Sequence, residues 1–202
     1  MSFEAELPET IFKKNYFSIT DRCIVYIDTE MMCEDIKAFS YGAVKHSVNG
    51  VHNRTDYNFN FVDSSDDVIR FRFSESALLG WNSESLYNSI VHFSWHYFGN
   101  RIIDETINAI RRGETVTIAG FELNQQGVHF TKKRIFGKDK PCTIAWRVLG
   151  CEAEDGNLGI YSRVDRDISR SVSIQFSLNS FILLHIARLT MKDREFYKTL
   201  MG

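Results

Sequence analysis

The apolar residues of this chain follow two different periods, and the period changes from one to the other twice. In segments such as VIRFRFS, which ends at residue 74, they alternate with polar residues. From Ser83 to Arg112 they recur every three to four residues; alternation returns after Glu114, and helical spacing returns near Asn179. A period of two is typical of half-buried antiparallel strands, and a period near 3.6 is typical of helices. The sequence therefore predicts an α+β chain of strands, a helix, strands and a second helix.

Turn-forming dipeptides separate several of the predicted strands. Asn49-Gly50 ends the segment IKAFSYGAVKHSV, and Asp155-Gly156 follows CTIAWRVLGCEAE. Residues of this kind supply the positive φ angles that two-residue hairpin turns need. We therefore expect antiparallel hairpins at both places.

The longest predicted helix contains no proline between Ser83 and Arg112. Ser83 is a suitable N-cap, and Gly113 is suited to ending the helix. The apolar stripe shifts after Gly99-Asn100, which indicates either a kinked helix or two helices that meet there.

Strands followed by a helix, twice over, indicate a duplicated unit. We predict two β-rich domains, residues 1–112 and residues 113–202, each a small curved antiparallel sheet closed by a C-terminal helix. The alternative is one continuous β-sandwich or barrel that carries two helices. An amphipathic helix packs either on its own sheet or on a second copy, so both a monomer and an oligomer are consistent with the pattern.

Composition restricts the environment of the protein. The 202 residues carry a formal net charge of −2, and the pI near 6.3 argues against a dedicated nucleic-acid binder. The first twenty residues lack the pattern of a secretory signal, and the four cysteines form no CxxC pair. Spanning a bilayer takes roughly 20 apolar residues, and the longest apolar run is shorter. We expect a cytoplasmic protein without a transmembrane segment, whose membrane contacts are peripheral.

The second half resembles the pleckstrin-homology-like (PH-like) fold as it occurs in bacterial proteins. The resemblance covers residues 112–191 and rests on RRGETVTIAGFELNQQGVHF, on IAW with Trp146, on EDGNLGIYS and on LNSFILLHIARL. It implies a strongly bent antiparallel sheet with a C-terminal helix at one end. The first half resembles this fold only in the number and order of its strands; there EDIKAFSYG would correspond to the segment around Trp146, and the 83–112 helix to the closing helix.

A basic stretch interrupts this otherwise balanced sequence at FTKKRIFGKDKP, residues 130–141. On a hairpin, its cations would meet an anionic membrane, each contributing about 1 kcal/mol, while an exposed phenylalanine inserts among the headgroups. The PH-like resemblance implies the same site, because many such domains bind phosphoinositides through a basic loop between adjacent strands. The predicted lipid- or partner-binding residues are Lys132, Lys133, Arg134, Phe136, Lys138 and Lys140.

Two interpretations compete with lipid binding. Lysines on an edge strand also protect a sheet from aggregation, which needs no ligand. Alternatively, the chain is a protein-interaction or adaptor module of a bacterial assembly, which uses open strand edges or the aromatic helix around Trp81, Trp95 and Tyr97. The alternating charges of residues 165–170 are expected to be solvated.

Other residues with chemical potential give no enzymatic pattern. His92 and His96 have zinc-binding spacing, but Phe93 stands where the HExxH motif has its glutamate. The acidic segment VDSSDDV lacks the ligand spacing of an EF-hand. Cys142 follows the basic stretch with no histidine partner nearby in sequence, and glycine-rich phosphate loops are absent. We expect a non-enzymatic binding module without catalytic residues, metal or cofactor.

Overall fold

The chain folds into two compact units, Met1–Arg101 and Ile102–Gly202, here called unit 1 and unit 2. The computed structural model describes residues 2–10, 13–76, 83–133 and 138–193, together with 196, 198 and 200. The division between the units lies inside a helix, whereas the predicted domain boundary lies at the end of that helix, between residues 112 and 113.

Unit 1 contains two antiparallel sheets, each made of strands that follow one another along the chain. The first has four strands and the second has three. Their bounds are β1 Phe3–Thr10, β2 Lys13–Ile19, β3 Cys23–Tyr26 and β4 Thr29–Met32, followed by β5 Ile36–Val48, β6 Val51–Asp63 and β7 Val68–Ser76.

The second sheet of unit 1 confirms the predicted alternation. Tyr57, Phe59 and Phe61 of β6 are buried, and Phe59 lies opposite Phe71 of β7 with the ring centroids 5.1 Å apart. At the tip of the β5–β6 hairpin, Asn49 and Gly50 have φ angles of 52° and 79°, as a type I′ turn requires.

An irregular helical segment follows these sheets. It consists of α1 (Ser83–Ser94), a π-helical turn (Trp95–Gly99) and α2 (Asn100–Arg111), so the predicted irregularity near Gly99 is a π turn. A Cβ on Gly99 would lie 2.7 Å from the Trp95 ring, so only glycine fits there without displacing the ring. Trp95 packs edge-on against Phe39 and donates to the Tyr41 hydroxyl at 2.7 Å.

The end of α2 confirms the predicted role of Gly113. This residue has a φ angle of 83°, and its N–H donates to the carbonyl of Ile110, while the N–H of Glu114 donates to Ala109. This pair of hydrogen bonds defines a Schellman motif, in which glycine avoids the cost of a left-handed backbone.

Unit 2 begins with the greater part of α2 and then repeats the order of unit 1, with a four-stranded sheet, a three-stranded sheet and a helix. A short 3₁₀ turn, Trp146–Val148, lies between its sheets. The strands are β8 Val116–Ile118, β9 Phe121–Asn124, β10 Gly127–Lys132, β11 Lys140–Ala145, β12 Leu149–Glu154, β13 Asn157–Ser162 and β14 Ser169–Ser173; α3 is Ser180–Lys192.

Trp146 occupies the core of unit 2. It is buried, and its indole N–H donates to the carbonyl of Asn124 at 2.8 Å, at the turn between β9 and β10. Gly127 begins β10 next to this turn, and a Cβ there would collide with the carbonyl oxygen of Ile144. Helix α3 begins after Asn179, whose carbonyl accepts from Ile182, and its buried face includes Ile186.

The α+β, β-rich class is confirmed, and the sheets are antiparallel as expected. The prediction of one curved sheet closed by a helix in each domain is wrong. Each unit contains two sheets rather than one, and within the described residues no hydrogen-bonded strand pair joins one sheet to the other. None of the helices in the described part of the chain reaches the length and apolarity that crossing a bilayer requires.

A buried carboxylate stabilises the long hairpin of unit 1. Asp56 accepts hydrogen bonds from Ser74 at 2.6 Å, from Arg54 at 2.8 Å and from the Nε2 of His46 at 2.9 Å. Its side chain is only 6 % exposed. Burial by itself would raise the pKa of Asp56, but the hydrogen bonds from Ser74, Arg54 and His46 outweigh burial and lower that pKa.

Replacing Asp56 with asparagine is expected to destabilise unit 1 at neutral pH. The substitution weakens charge-assisted hydrogen bonds at a buried site, which costs about 1–3 kcal/mol. Because the pKa of Asp56 is lower in the folded chain, its stabilising effect is present above the unfolded pKa, near ~3.9, and is lost as the pH falls through the folded value. Urea titrations followed by NMR signals of β6 should show the wild-type advantage at pH 7 and a smaller one below pH 4.

Asp66→Asn is the matched control. Asp66 pairs with Lys37 at 2.6 Å, but its side chain is 84 % exposed, so its loss should change stability by no more than about 0.5 kcal/mol. Equal effects of the two substitutions, or an Asp56 effect that does not vary with pH, would contradict this account of the hairpin.

Candidate anion-binding groove

The predicted basic residues lie around the β10–β11 hairpin of unit 2. Lys132 ends β10 directly opposite Lys140, which begins β11. Lys133, Lys138 and Lys140 are exposed. The predicted contributors Arg134 and Phe136 lie outside the described residues.

A groove of about 680 Å³ lies beside this hairpin. Three segments that are distant in sequence meet there: the turn between β8 and β9, the ends of β10 and β11, and the beginning of β14. Its charged side chains are three cations and one carboxylate, so the balance is positive. The groove is lined by Gly120, Glu122, His129, Phe130, Thr131, Lys132, Lys133, Pro141, Cys142, Thr143, Ser169 and Arg170.

Lys132 connects the hairpin to the loop before β14. Its ammonium donates to the backbone carbonyl of Asp167 at 2.5 Å. An ammonium carries three donor hydrogens, so this bond fixes the position of the charge and leaves donors for a ligand. The bond makes Lys132 partly structural, in contrast to a freely solvated edge lysine.

Arg170 fixes another side of the groove. It donates to the carbonyl of Gly120 at 2.7 Å, and its guanidinium carbon lies 4.9 Å from the centroid of the buried Phe121 ring. A Cβ on Gly120 would lie 2.9 Å from a guanidinium nitrogen of Arg170, and the φ angle of Gly120 is 76°. The left-handed backbone conformation of this turn therefore favours glycine at position 120.

His129 is held in one orientation on the floor of the groove. Its Nε2 lies 2.9 Å from the amide oxygen of Asn124, and its Nδ1 lies 2.9 Å from the hydroxyl of Thr143. An amide oxygen only accepts, so Nε2 donates to Asn124; in the neutral ring, Nδ1 accepts from Thr143.

Two of these residues were missed at the sequence level. Arg170 belongs to the alternating-charge segment that we expected to be solvated, but it is half-buried and bonded to a residue fifty positions earlier. His129 has no motif around it. The only available signal was its place on a strand that leads into the basic stretch.

The two helix histidines do not form a metal centre with their neighbours. His92 and His96 are both exposed, with parallel rings whose centroids lie 6.5 Å apart. Among the described residues, no cluster of three His, Cys, Asp or Glu side chains is arranged to hold a metal ion.

The aromatic helix is mainly a packing surface in its described part. Trp95 contacts Phe39 and Tyr41 within unit 1, and Tyr97 stacks with Phe93, centroids 5.9 Å apart. Trp81, the third residue of the predicted interaction surface, lies outside the described residues.

The remaining candidates have structural roles. Cys142 is buried, and its thiol lies 3.6 Å from the carbonyl of Lys140. In the acidic loop, Asp63 accepts from the backbone N–H groups of Ser65 and Asp67, both at 2.9 Å. This is the hydrogen bonding of an Asx-type turn.

Comparison of the chain with protein-family models, with curated proteins and with solved structures gives no match. Inferences about its function therefore depend on the geometry and charge of its own residues.

Arg170→Leu is expected to lower the stability of unit 2 by about 1–2 kcal/mol, because it removes a hydrogen bond to Gly120 and a cation–π contact with Phe121. Urea unfolding followed by NMR signals of β9 and β14 measures this change. Arg166→Leu removes an equal charge from an exposed position nearby and should leave stability within about 0.5 kcal/mol of wild type. If both substitutions behave alike, Arg170 does not connect the two sheets.

Proposed function

We propose that the protein is a non-enzymatic binding module that attaches peripherally to membranes by holding anionic lipid headgroups at the basic groove of unit 2. The observation that carries the proposal is the meeting of Lys132, Lys133 and Arg170 at one groove, against the single carboxylate Glu122. Phosphate oxygens suit such a site, because they accept several charge-assisted hydrogen bonds at once.

The positions of the cations favour a ligand that approaches from solvent. Lys132 and Arg170 are pre-positioned by their bonds to the carbonyls of Asp167 and Gly120. Less entropy is then lost on binding, since these side chains are already ordered. Lys133, Lys138 and Lys140 are exposed around them, where each would add about 1 kcal/mol of attraction to an anionic surface.

The order of elements supports the PH-like resemblance, which also implies lipid binding. Each unit has four strands, then three strands, then a helix. On this proposal both units are PH-like repeats, and the headgroup site belongs to the second. This function implies a cytoplasmic protein that is recruited to the inner surface of the membrane.

Sedimentation with vesicles tests the proposal. The 202-residue chain should pellet with phosphatidylcholine vesicles that contain phosphatidylglycerol, and less so as salt is added, because exposed charges are screened. The triple substitution Lys133→Ala/Lys138→Ala/Lys140→Ala should weaken binding by about 3 kcal/mol, more than a hundredfold. It leaves in place Lys132 and Arg170, which have structural bonds.

Lys45→Ala/Arg70→Ala/Arg72→Ala is the matched control, because it removes three exposed cations from unit 1 and should leave vesicle binding within a few-fold of wild type. Equal losses in the two triple variants would mean that only total charge matters. If wild-type protein stays in the supernatant, lipid binding is wrong, and the alternative of a protein-interaction or adaptor module becomes the better proposal.

A further inference from the structure

Strand β14 has an open edge. Among the described strands it pairs only with β13, in a register that joins Gly159 to Ser171. Bonds at the two ends of this pairing, from Ser162 N–H to the Ile168 carbonyl at 2.9 Å and from Ile174 N–H to the Gly156 carbonyl at 2.8 Å, fix which residues face β13. In an antiparallel ladder the bonded residues alternate. The backbone groups of Ser169, Ser171 and Ser173 therefore point away from β13, to the open side.

Lys132 occupies the start of this edge through its bond to the Asp167 carbonyl, but from Ser171 to Ser173 the edge lacks the features that usually prevent strand addition. Proteins protect edges with proline, with outward lysines or with bulges. Here the residues with outward backbone groups are three serines, and the β13–β14 register contains no bulge. Ser169 and Ser171 are exposed. Arg170, the one charged residue of the strand, bonds to Gly120 and so does not guard the edge.

An acidic groove of about 420 Å³ lies on the sheet beside this edge. Three carboxylates, Glu152, Glu154 and Asp155, line it together with the guanidinium of Arg166 and the ring of Tyr161. Arg170 also lines it, but its guanidinium is bonded to Gly120. Even with both arginines counted, carboxylates outnumber cations in this acidic groove by three to two. Its balance is therefore negative, opposite in sign to that of the basic groove at the β10–β11 hairpin.

Only small residues separate the open edge from one of these carboxylates. Ser171 lies opposite Gly159, and Gly159 lies opposite Glu152, so the three residues form one row across the sheet. The Cγ of Glu152 lies 3.2 Å from the point that a Cβ on Gly159 would occupy, so the Glu152 side chain lies over the middle strand. The distance from an added strand to β13 is two strand spacings, about 10 Å. A lysine or arginine side chain and its hydrogen bond together span that distance.

We propose that the edge of β14 binds an extended segment of a partner protein that carries lysine or arginine at alternate positions. The segment adds as a fourth strand through the backbone groups of Ser171 and Ser173. One basic side chain crosses above Ser171 and Gly159 and pairs with the carboxylate of Glu152. Backbone pairing supplies affinity that does not depend on sequence, and the carboxylates select basic side chains. This site goes beyond the proposed headgroup groove and takes a ligand of the opposite charge.

Fluorescence anisotropy with the full-length protein tests the proposal. The probe is a labelled peptide that alternates lysine with threonine, compared with the same peptide carrying glutamate in place of lysine. The lysine peptide should bind saturably and the glutamate peptide should not. On binding, hydrogen exchange at the amides of Ser171 and Ser173 should slow, which attraction to the acidic groove alone would not produce.

Three substitutions separate strand addition from general attraction. Ser171→Pro removes an outward N–H without removing a bond to β13, a position where an edge strand tolerates proline, and it should weaken binding more than tenfold. Ser171→Thr keeps the N–H and should bind as wild type does. Glu152→Gln removes the proposed partner of the basic side chain and should weaken binding about tenfold, the loss of one charge-assisted bond.

Ser171→Lys covers the case in which the proline variant does not fold, because it adds a repelling charge at an exposed position and should also weaken binding more than tenfold. Absence of peptide binding, or equal binding by the Ser171→Pro and Ser171→Thr variants, would overturn the proposal. The variant Lys133→Ala/Lys138→Ala/Lys140→Ala should keep peptide binding while it loses vesicle binding, so that the two sites fail or succeed independently.

Discussion

The guanidinium of Arg170 links the two sheets of unit 2 at the place where the basic groove lies. It connects β14 of the three-stranded sheet to the β8–β9 turn of the four-stranded sheet, through the Gly120 carbonyl and the Phe121 ring. No hydrogen-bonded strand pair performs this task among the described residues. The groove at the basic hairpin exists where this contact holds the two sheets together, since its lining comes from both.

Packing explains the irregular helix of unit 1. Trp95 must reach Phe39 and Tyr41 on the neighbouring sheet, and Gly99 must leave room for its ring. A regular helix would change the direction of the following turn relative to this ring. The π turn at Trp95–Gly99 accommodates the large aromatic side chain while the backbone remains hydrogen-bonded. The sequence signal for it was the shift of the apolar stripe.

Periodicity predicted most strands and all three helical segments, but it missed turns built from unusual residues. Alternation alone predicts one strand in CIVYIDT and one in TVTIAGFELN, but each segment folds back, at Ile27 and at Ala119, where non-glycine residues adopt positive φ. Strand β1 was also missed, because its sequence FEAELPET combines three glutamates with a proline.

The sequence predicts where the basic residues of the candidate groove lie, but it does not predict the contacts that they make. A run of lysines is visible in the sequence, so the β10–β11 hairpin could be named as basic. Lys132 and Arg170 donate hydrogen bonds to backbone carbonyls of residues that lie 35 and 50 positions away in the sequence. Such contacts are set by tertiary packing and leave no periodic signal.

Net charge conceals how unit 2 is organised. The whole chain has a formal charge of −2, yet a positive groove and an acidic groove both border β14. Arg170 and Ser169 line both, but the guanidinium is bonded to Gly120, and the carboxylates of Glu152 and Glu154 lie across the three-stranded sheet from the edge. The Arg170 guanidinium therefore does not pair with these carboxylates, because the sheet holds them on different strands. On the two proposals, one small unit presents an anion site and a cation-selective edge, and the strand β14 that they share limits how far either ligand can extend toward the other.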